Sequence, residues 1–112
     1  MPEFAGKVAL ITGGGTGIGR ATSLLLASHG VHVAVNYSRS QDDAERTAAD
    51  AKAAGVSAIA VKANVADETQ VRAMIDQTVS ELGRRDFLVN NAGTPHAVPF
   101  ADLDGVKDEH WD

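Results

Sequence analysis

Three times in the first 82 residues a short apolar run gives way to a longer stretch with helical spacing, and this alternation leaves few folds open. Val8-Ala9-Leu10-Ile11 is a continuous apolar run ending in Thr12 and three glycines, the pattern of a strand buried on both faces. Ile18, Ala21, Leu24, Leu25 and Ser28 then recur at the spacing of an amphipathic helix, and His29-Gly30 supplies the glycine that commonly follows one. Residues 31 to 35 predict a second strand and the polar residues 36 to 40 a loop. Ser40 with Asp43 resembles a capping signal, and the alanine-rich residues 44 to 54, closed by Gly55, predict a second helix. Residues 56 to 61 return to strand character. Asp67 with Gln70 marks another helix start, after which Val71, Met74, Ile75, Thr78, Val79 and Leu82 share one face before Gly83. Phe87-Leu88-Val89 predicts a fourth strand opening into Asn90-Asn91-Ala92-Gly93. Residues 94 to 112 read as acidic, Pro-punctuated loop, with a helix beginning near Lys107.

Strands alternating with helices of this length pair in parallel through right-handed crossovers. The predicted fold class is therefore α/β, a doubly wound parallel sheet of four strands with three helices distributed over its faces. At 112 residues the chain has room for one core. It contains no cysteine, which removes disulfide scaffolds, thiolate metal sites and cysteine nucleophiles. Ten basic against fifteen acidic residues argue against nucleic acid as a partner, since that footprint needs clustered Lys and Arg. No apolar run approaches the ~18–20 residues of a membrane span, and the N-terminus lacks the apolar stretch of a signal peptide. The expected location is cytoplasmic, with no membrane partner.

The sequence between the first strand and the first helix, Thr12-Gly13-Gly14-Gly15-Thr16-Gly17-Ile18-Gly19-Arg20, carries the strongest chemical signal. Glycines allow a tight turn and close approach of backbone to ligand, and the N–H groups at the helix start favour an anion such as a pyrophosphate. The dinucleotide pattern G-x-G-x-x-G fails, since starting at Gly13 it places Ile18 last and starting at Gly15 it places Arg20 there. A mononucleotide phosphate loop almost fits from Gly14 to Gly19, but Arg20-Ala21 stands where Lys and Ser or Thr are required. What remains is G-x-x-x-G-x-G at Gly13, Gly17 and Gly19.

That pattern resembles the short-chain dehydrogenase/reductases, whose cofactor fingerprint T-G-x-x-x-G-I-G is matched at every fixed position by residues 12 to 19. Asn90-Asn91-Ala92-Gly93 matches the same family's N-N-A-G motif, and Asn64-Val65 stands where its D-V segment follows the third strand. The alternative is that both segments serve only packing and turn geometry. The resemblance implies a Rossmann-type sheet of which this chain is the N-terminal, cofactor-binding portion, the catalytic portion being absent. By the same resemblance Gly13, Gly15, Thr16, Gly17, Ile18 and Gly19 would cradle the dinucleotide. Asn64 would accept a hydrogen bond from the adenine amine and Val65 would pack on the ring. Asn91, Ala92 and Gly93 would lie beside the nicotinamide-side ribose.

The end of the second strand in a dinucleotide site chooses between cofactors, since a carboxylate binds the ribose 2′-OH and a basic residue binds a 2′-phosphate. Here that place holds Asn36, Tyr37, Ser38 and Arg39, with no carboxylate before Asp42. Arg39 offers a planar bidentate donor with Ser38 adjacent, so NADP(H) is expected in preference to NAD(H). The family's other frequent basic position for NADP, before the second fingerprint glycine, is Thr16 here.

In the family, hydride passes between the nicotinamide and a carbonyl or alcohol carbon while a tyrosine moves the proton, its pKa lowered by a lysine in Y-x-x-x-K and the substrate oriented by a serine. The only tyrosine here is Tyr37, followed four residues later by Gln41, so no catalytic residue is assigned. The resemblance thus implies an NADP(H)-dependent oxidoreductase of small carbonyl or alcohol substrates, a homo-oligomer when complete, of which this chain is an inactive, truncated half. The alternatives are a non-catalytic dinucleotide-binding module and a degenerate fragment acting through protein contacts. His29, His32, His96 and His110 lack metal-ligand spacing, and Asp102-Leu103-Asp104-Gly105 fails as a calcium loop because its glycine comes fourth, so no metal is expected.

Overall fold

A computed structural model of the chain describes residues 4 to 91 and 99 to 100. Its strands are β1 (Val8–Ile11), β2 (His32–Tyr37), β3 (Ala58–Lys62), β4 (Phe87–Val89) and β5 (Pro99–Phe100), and its helices α1 (Gly17–Ser28), α2 (Gln41–Ala53) and α3 (Glu68–Leu82). They form one sheet in the order β3-β2-β1-β4-β5, with the first four strands parallel. β1 is central, paired at Ile11 with Val35 on one side and Val89 on the other. All four of its residues are buried, which is why it reads as an unbroken apolar run.

Alternation along the strands divides the core into two layers. On one face Ala9, Ile11, Val33 and Val35 pack with Ala27 of α1 and with Ala44, Ala48 and Ala51 of α2. On the other Leu10, Ala34, Val61 and Leu88 pack with Val71, Met74 and Ile75 of α3. Helices therefore cover both faces, and the Rossmann-type, doubly wound architecture is present.

Several local expectations change. The inward face of α1 is Gly19, Ser23 and Ala27, whereas Ile18 is 75% and Leu25 60% exposed. The helix rides so close over the glycine turn that only small residues fit beneath it: a Cβ on Gly19 would lie 2.1 Å from the Gly13 carbonyl oxygen. β2 runs two residues beyond Val35, because the Asn36 amide bonds to β3 and to the turn and keeps the chain extended. The third strand starts and ends later than expected, at Ala58 and Lys62. Asp67 caps α3, its Oδ1 accepting the Thr69 and Gln70 N–H groups, and Gly83 ends that helix at φ 90°. Ser40 precedes α2 but makes no side-chain capping bond.

The expected sheet has four strands, and the expected tail is loop. Instead β5 pairs antiparallel with β4, Leu88 opposite Phe100 and Val89 opposite Pro99. The helix expected near Lys107 and the cofactor contacts expected at Ala92 and Gly93 lie outside the described residues, as do His96, His110 and residues 102 to 105, to which no site is assigned.

Candidate functional site

Because β1 to β4 point the same way, their C-terminal ends converge on one rim of the sheet, and among the described residues the glycine turn, Asn36 to Arg39, Asn64-Val65 and Asn90-Asn91 lie on that rim. Thr12 joins two of them. Its N–H donates to the Val89 carbonyl at 3.0 Å, its hydroxyl meets Asn90 Oδ1 at 3.1 Å, and the same hydroxyl accepts the Asn91 N–H at 2.8 Å. Asn91 Nδ2 reaches the Gly13 carbonyl at 3.5 Å. The two asparagines thus tie the end of β4 to the glycine turn.

The glycines of the turn act differently from one another. Gly13 and Gly17 have φ of 59° and 53°, a region that favours glycine, and beyond Gly17 there is open space where a Cβ would project. Gly19 leaves room for the Gly13 carbonyl and Asn91 Nδ2. Gly15 faces α2: a Cβ there would sit 2.8 Å from the Ala44 nitrogen, so its missing side chain lets the second helix touch the turn. Gly14 is closed in by the Ile11 carbonyl and Val35.

The turn's polar groups are divided in the same way. The Gly13 and Gly14 N–H groups donate to Asn36, at its Oδ1 and its carbonyl respectively. The Gly14 carbonyl accepts from Ser23 and the Gly15 carbonyl from Thr47. The N–H groups of Gly15, Thr16, Gly17, Ile18 and Gly19 have no hydrogen-bond partner among the described residues. Thr16 and Ile18 are exposed beside them, and the Thr16 side chain makes no capping bond. This row of donors at the start of a twelve-residue helix can receive an anion.

At the end of β2, Asn36 is 2% exposed with its side chain turned into the structure, Tyr37 is half-buried against the α1 and α2 layer, and Ser38 and Arg39 are exposed. The Arg39 guanidinium has no partner among the described residues, while its carbonyl accepts the Gln41 N–H that begins α2. At the end of β3, Asn64 is exposed and its Oδ1 accepts the Ala66 N–H at 2.9 Å, leaving the second lone pair of that oxygen open. Val65 packs on the α3 layer.

Three polar side chains given no role in the sequence reading complete the turn's support: Arg20, Ser23 and Thr47. Arg20, placed where a mononucleotide loop has lysine, turns its guanidinium toward α2, where it binds Thr47 and Asp50. Thr47 was legible as the one hydroxyl in the buried face formed by Ala44, Ala48 and Ala51. His32 is structural, its Nδ1 accepting the Ser57 N–H at 2.9 Å. Among the described residues no group of three His, Cys, Asp or Glu is placed to hold a metal, and no helix is long and apolar enough to cross a membrane.

The family profile of the short chain dehydrogenases matches residues 7–112. Bacillus subtilis YusS, a short-chain dehydrogenase/reductase homolog, is 47% identical over 103 residues, covering 92% of this chain and 94% of that protein. The 3-oxoacyl-[acyl-carrier-protein] reductase FabG of Staphylococcus aureus is 46% identical over 95% of this chain, which spans only 42% of the reductase's length. The solved short-chain dehydrogenase/reductase of Serratia marcescens superposes at a TM-score of 0.78 with 44% identity, over 84% of this chain and 38% of that one. Two further neighbours, an NAD+-bound xylitol dehydrogenase and a Burkholderia cenocepacia protein with bound NADP, superpose at 0.76 and 0.75 with 38% and 34% identity. Fingerprint turn, asparagine clasp and parallel sheet thus agree with the matched profile, and the chain belongs to the short chain dehydrogenase family.

Proposed function

We propose that this chain binds NADP(H) across the rim formed by the ends of its parallel strands, as the cofactor-binding portion of an oxidoreductase acting on a small carbonyl or alcohol. The observation that carries the reading is the row of N–H groups from Gly15 to Gly19 at the head of α1 that have no partner among the described residues. In this reading the donors from Thr16 to Gly19 hold the pyrophosphate, and open space at Gly17 admits it. Ser38 and Arg39 receive the 2′-phosphate, Asn64 Oδ1 accepts from the adenine amine while Val65 borders the ring, and Asn91 with Ala92 and Gly93 borders the second ribose. The bound nicotinamide supplies or takes up the hydride. Proton transfer by a Y-x-x-x-K tyrosine has no counterpart in these 112 residues, so the chain by itself binds without turnover.

A second reading, a dinucleotide-binding module without catalysis of its own, is favoured by the match to nearly the full length of YusS. Titration calorimetry of the full chain with NADPH and NADH tests the shared premise, and heats absent for both would refute it. The cofactor preference is tested by Arg39→Ala. Losing hydrogen bonds to a charged group costs ~1.5–3 kcal/mol, so NADPH affinity should drop about tenfold or more while NADH affinity holds. An unchanged ratio removes the 2′-phosphate role.

A further inference from the structure

We propose that Arg20 and Thr47 are positioning residues that latch α2 to the glycine turn and thereby set the spacing between the pyrophosphate donors and the 2′-phosphate loop. This rests on the NADP(H) reading above and concerns residues that touch neither anion.

The latch is a chain of three polar contacts. Thr47, fully buried, donates its hydroxyl hydrogen to the Gly15 carbonyl at 3.2 Å and accepts from Arg20 Nη1 at 2.9 Å. The other terminal nitrogen of Arg20 pairs with Asp50, one turn further along α2. Arg20 leaves the first turn of α1, directly behind the open donors, so the same three groups hold α1, the turn and α2 together. Gly15 adds a steric element, because only a residue without Cβ lets the Ala44 backbone come this close.

The consequence lies at the other end of that contact. Ala44 N–H donates to the Ser40 carbonyl at 3.0 Å and Gln41 N–H to the Arg39 carbonyl at 3.0 Å, so the first turn of α2 carries the Ser38 and Arg39 loop with it. Wherever α2 sits on the turn, Arg39 sits relative to the donors of Thr16 to Gly19. NADPH presents anions to both places at once, whereas NADH presents only the pyrophosphate. A loosened latch therefore penalises NADPH more than NADH, and a general loss of folded protein penalises both alike.

The test measures dissociation constants of both dinucleotides by calorimetry on the full chain, with circular dichroism melts alongside. Thr47→Val removes the hydroxyl at nearly constant volume, and Arg20→Met removes the guanidinium from a side chain that is 35% exposed. Each should weaken NADPH by roughly tenfold and lower the NADPH to NADH preference, and Thr47→Ser should restore both. If Thr47→Val fails to fold, Arg20→Met decides. Wild-type NADPH affinity in the variants, or equal weakening of both dinucleotides, overturns the latch. Failure of the unsubstituted chain to bind either dinucleotide refutes the cofactor reading instead.

Discussion

Asn36 Oδ1 accepts the Gly13 N–H at 3.2 Å while its Nδ2 donates to the Val61 and Ala63 carbonyls at 3.3 and 3.2 Å, so one buried amide joins the glycine turn to the ends of β2 and β3. Asn36→Ala strands one donor and two acceptors in a site that is 2% exposed. Each buried unsatisfied group costs about 1–3 kcal/mol, so the loss should reach at least that range. Urea denaturation measures it directly, and a midpoint within error of wild type would mean the bracket carries no weight.

Gly17 and Gly19 are two residues apart yet should fail for different reasons. Gly17→Ala meets nothing within 4 Å but must hold φ at 53°, a strain of about 1–2 kcal/mol. Gly19→Ala would drive its methyl against the Gly13 carbonyl at 2.1 Å and Asn91 Nδ2 at 2.7 Å, so α1 must shift on the turn. Overpacking of this kind costs about 1–3 kcal/mol and also displaces the donor row. The expected pattern in thermal melts and NADPH titrations is a modest loss of stability for Gly17→Ala, with NADPH weakened because the methyl enters the space left for the pyrophosphate, and a larger loss of stability, with binding abolished, for Gly19→Ala. The reverse order would contradict the packing described here.

The two helix starts that read alike in the sequence should also separate. Asp67 accepts two backbone N–H groups of α3, at 2.9 and 3.3 Å, whereas Ser40 makes no capping bond to α2. Asp67→Ala should therefore cost about 0.5–2 kcal/mol, and Ser40→Ala should stay within about 0.5 kcal/mol. Equal losses in urea denaturation would show that the capping geometry does not decide the matter.

These contrasts mark what a linear reading can see. Strand–helix alternation and the fingerprint spacing were legible because burial on both faces leaves unbroken apolar runs and because a tight turn needs glycine at fixed places. The inward face of α1 was misread: Ile18, Ala21, Leu25 and Ser28 keep helical spacing but point outward, since proximity to the turn selects Gly19, Ser23 and Ala27 for size rather than hydrophobicity. Asn36 looked like loop for a related reason. A buried amide whose partners lie 23 to 27 residues away in the chain carries no local signal of strand. The pairing of β5 with β4 was hidden too, because two residues beginning with proline show no strand periodicity.

Asp86 supplies a pH dependence whose sign can be worked out. It is 8% exposed at the entrance to β4, where Oδ2 accepts the Val8 N–H at 2.9 Å and Arg84 Nη2 donates to Oδ1 at 2.8 Å. Burial pushes its pKa up, but the Arg84 hydrogen bond, the Val8 N–H and the charges of Arg84 and Lys7 together outweigh it and hold the carboxyl below its ordinary 3.8. A group whose folded pKa lies below the unfolded one stabilises the fold above the unfolded value and loses that contribution as pH falls through the folded value. Asp86→Asn keeps an oxygen for Val8 but removes the charge and an acceptor for Arg84, so it removes the ion pair as a whole. The variant should be less stable than wild type near neutral pH, and the gap should narrow as pH is taken below 3.8. Urea denaturation of both proteins along an acid series measures the gap, and a constant difference across the series would show that the carboxylate does not stabilise β1 against β4 through its charge.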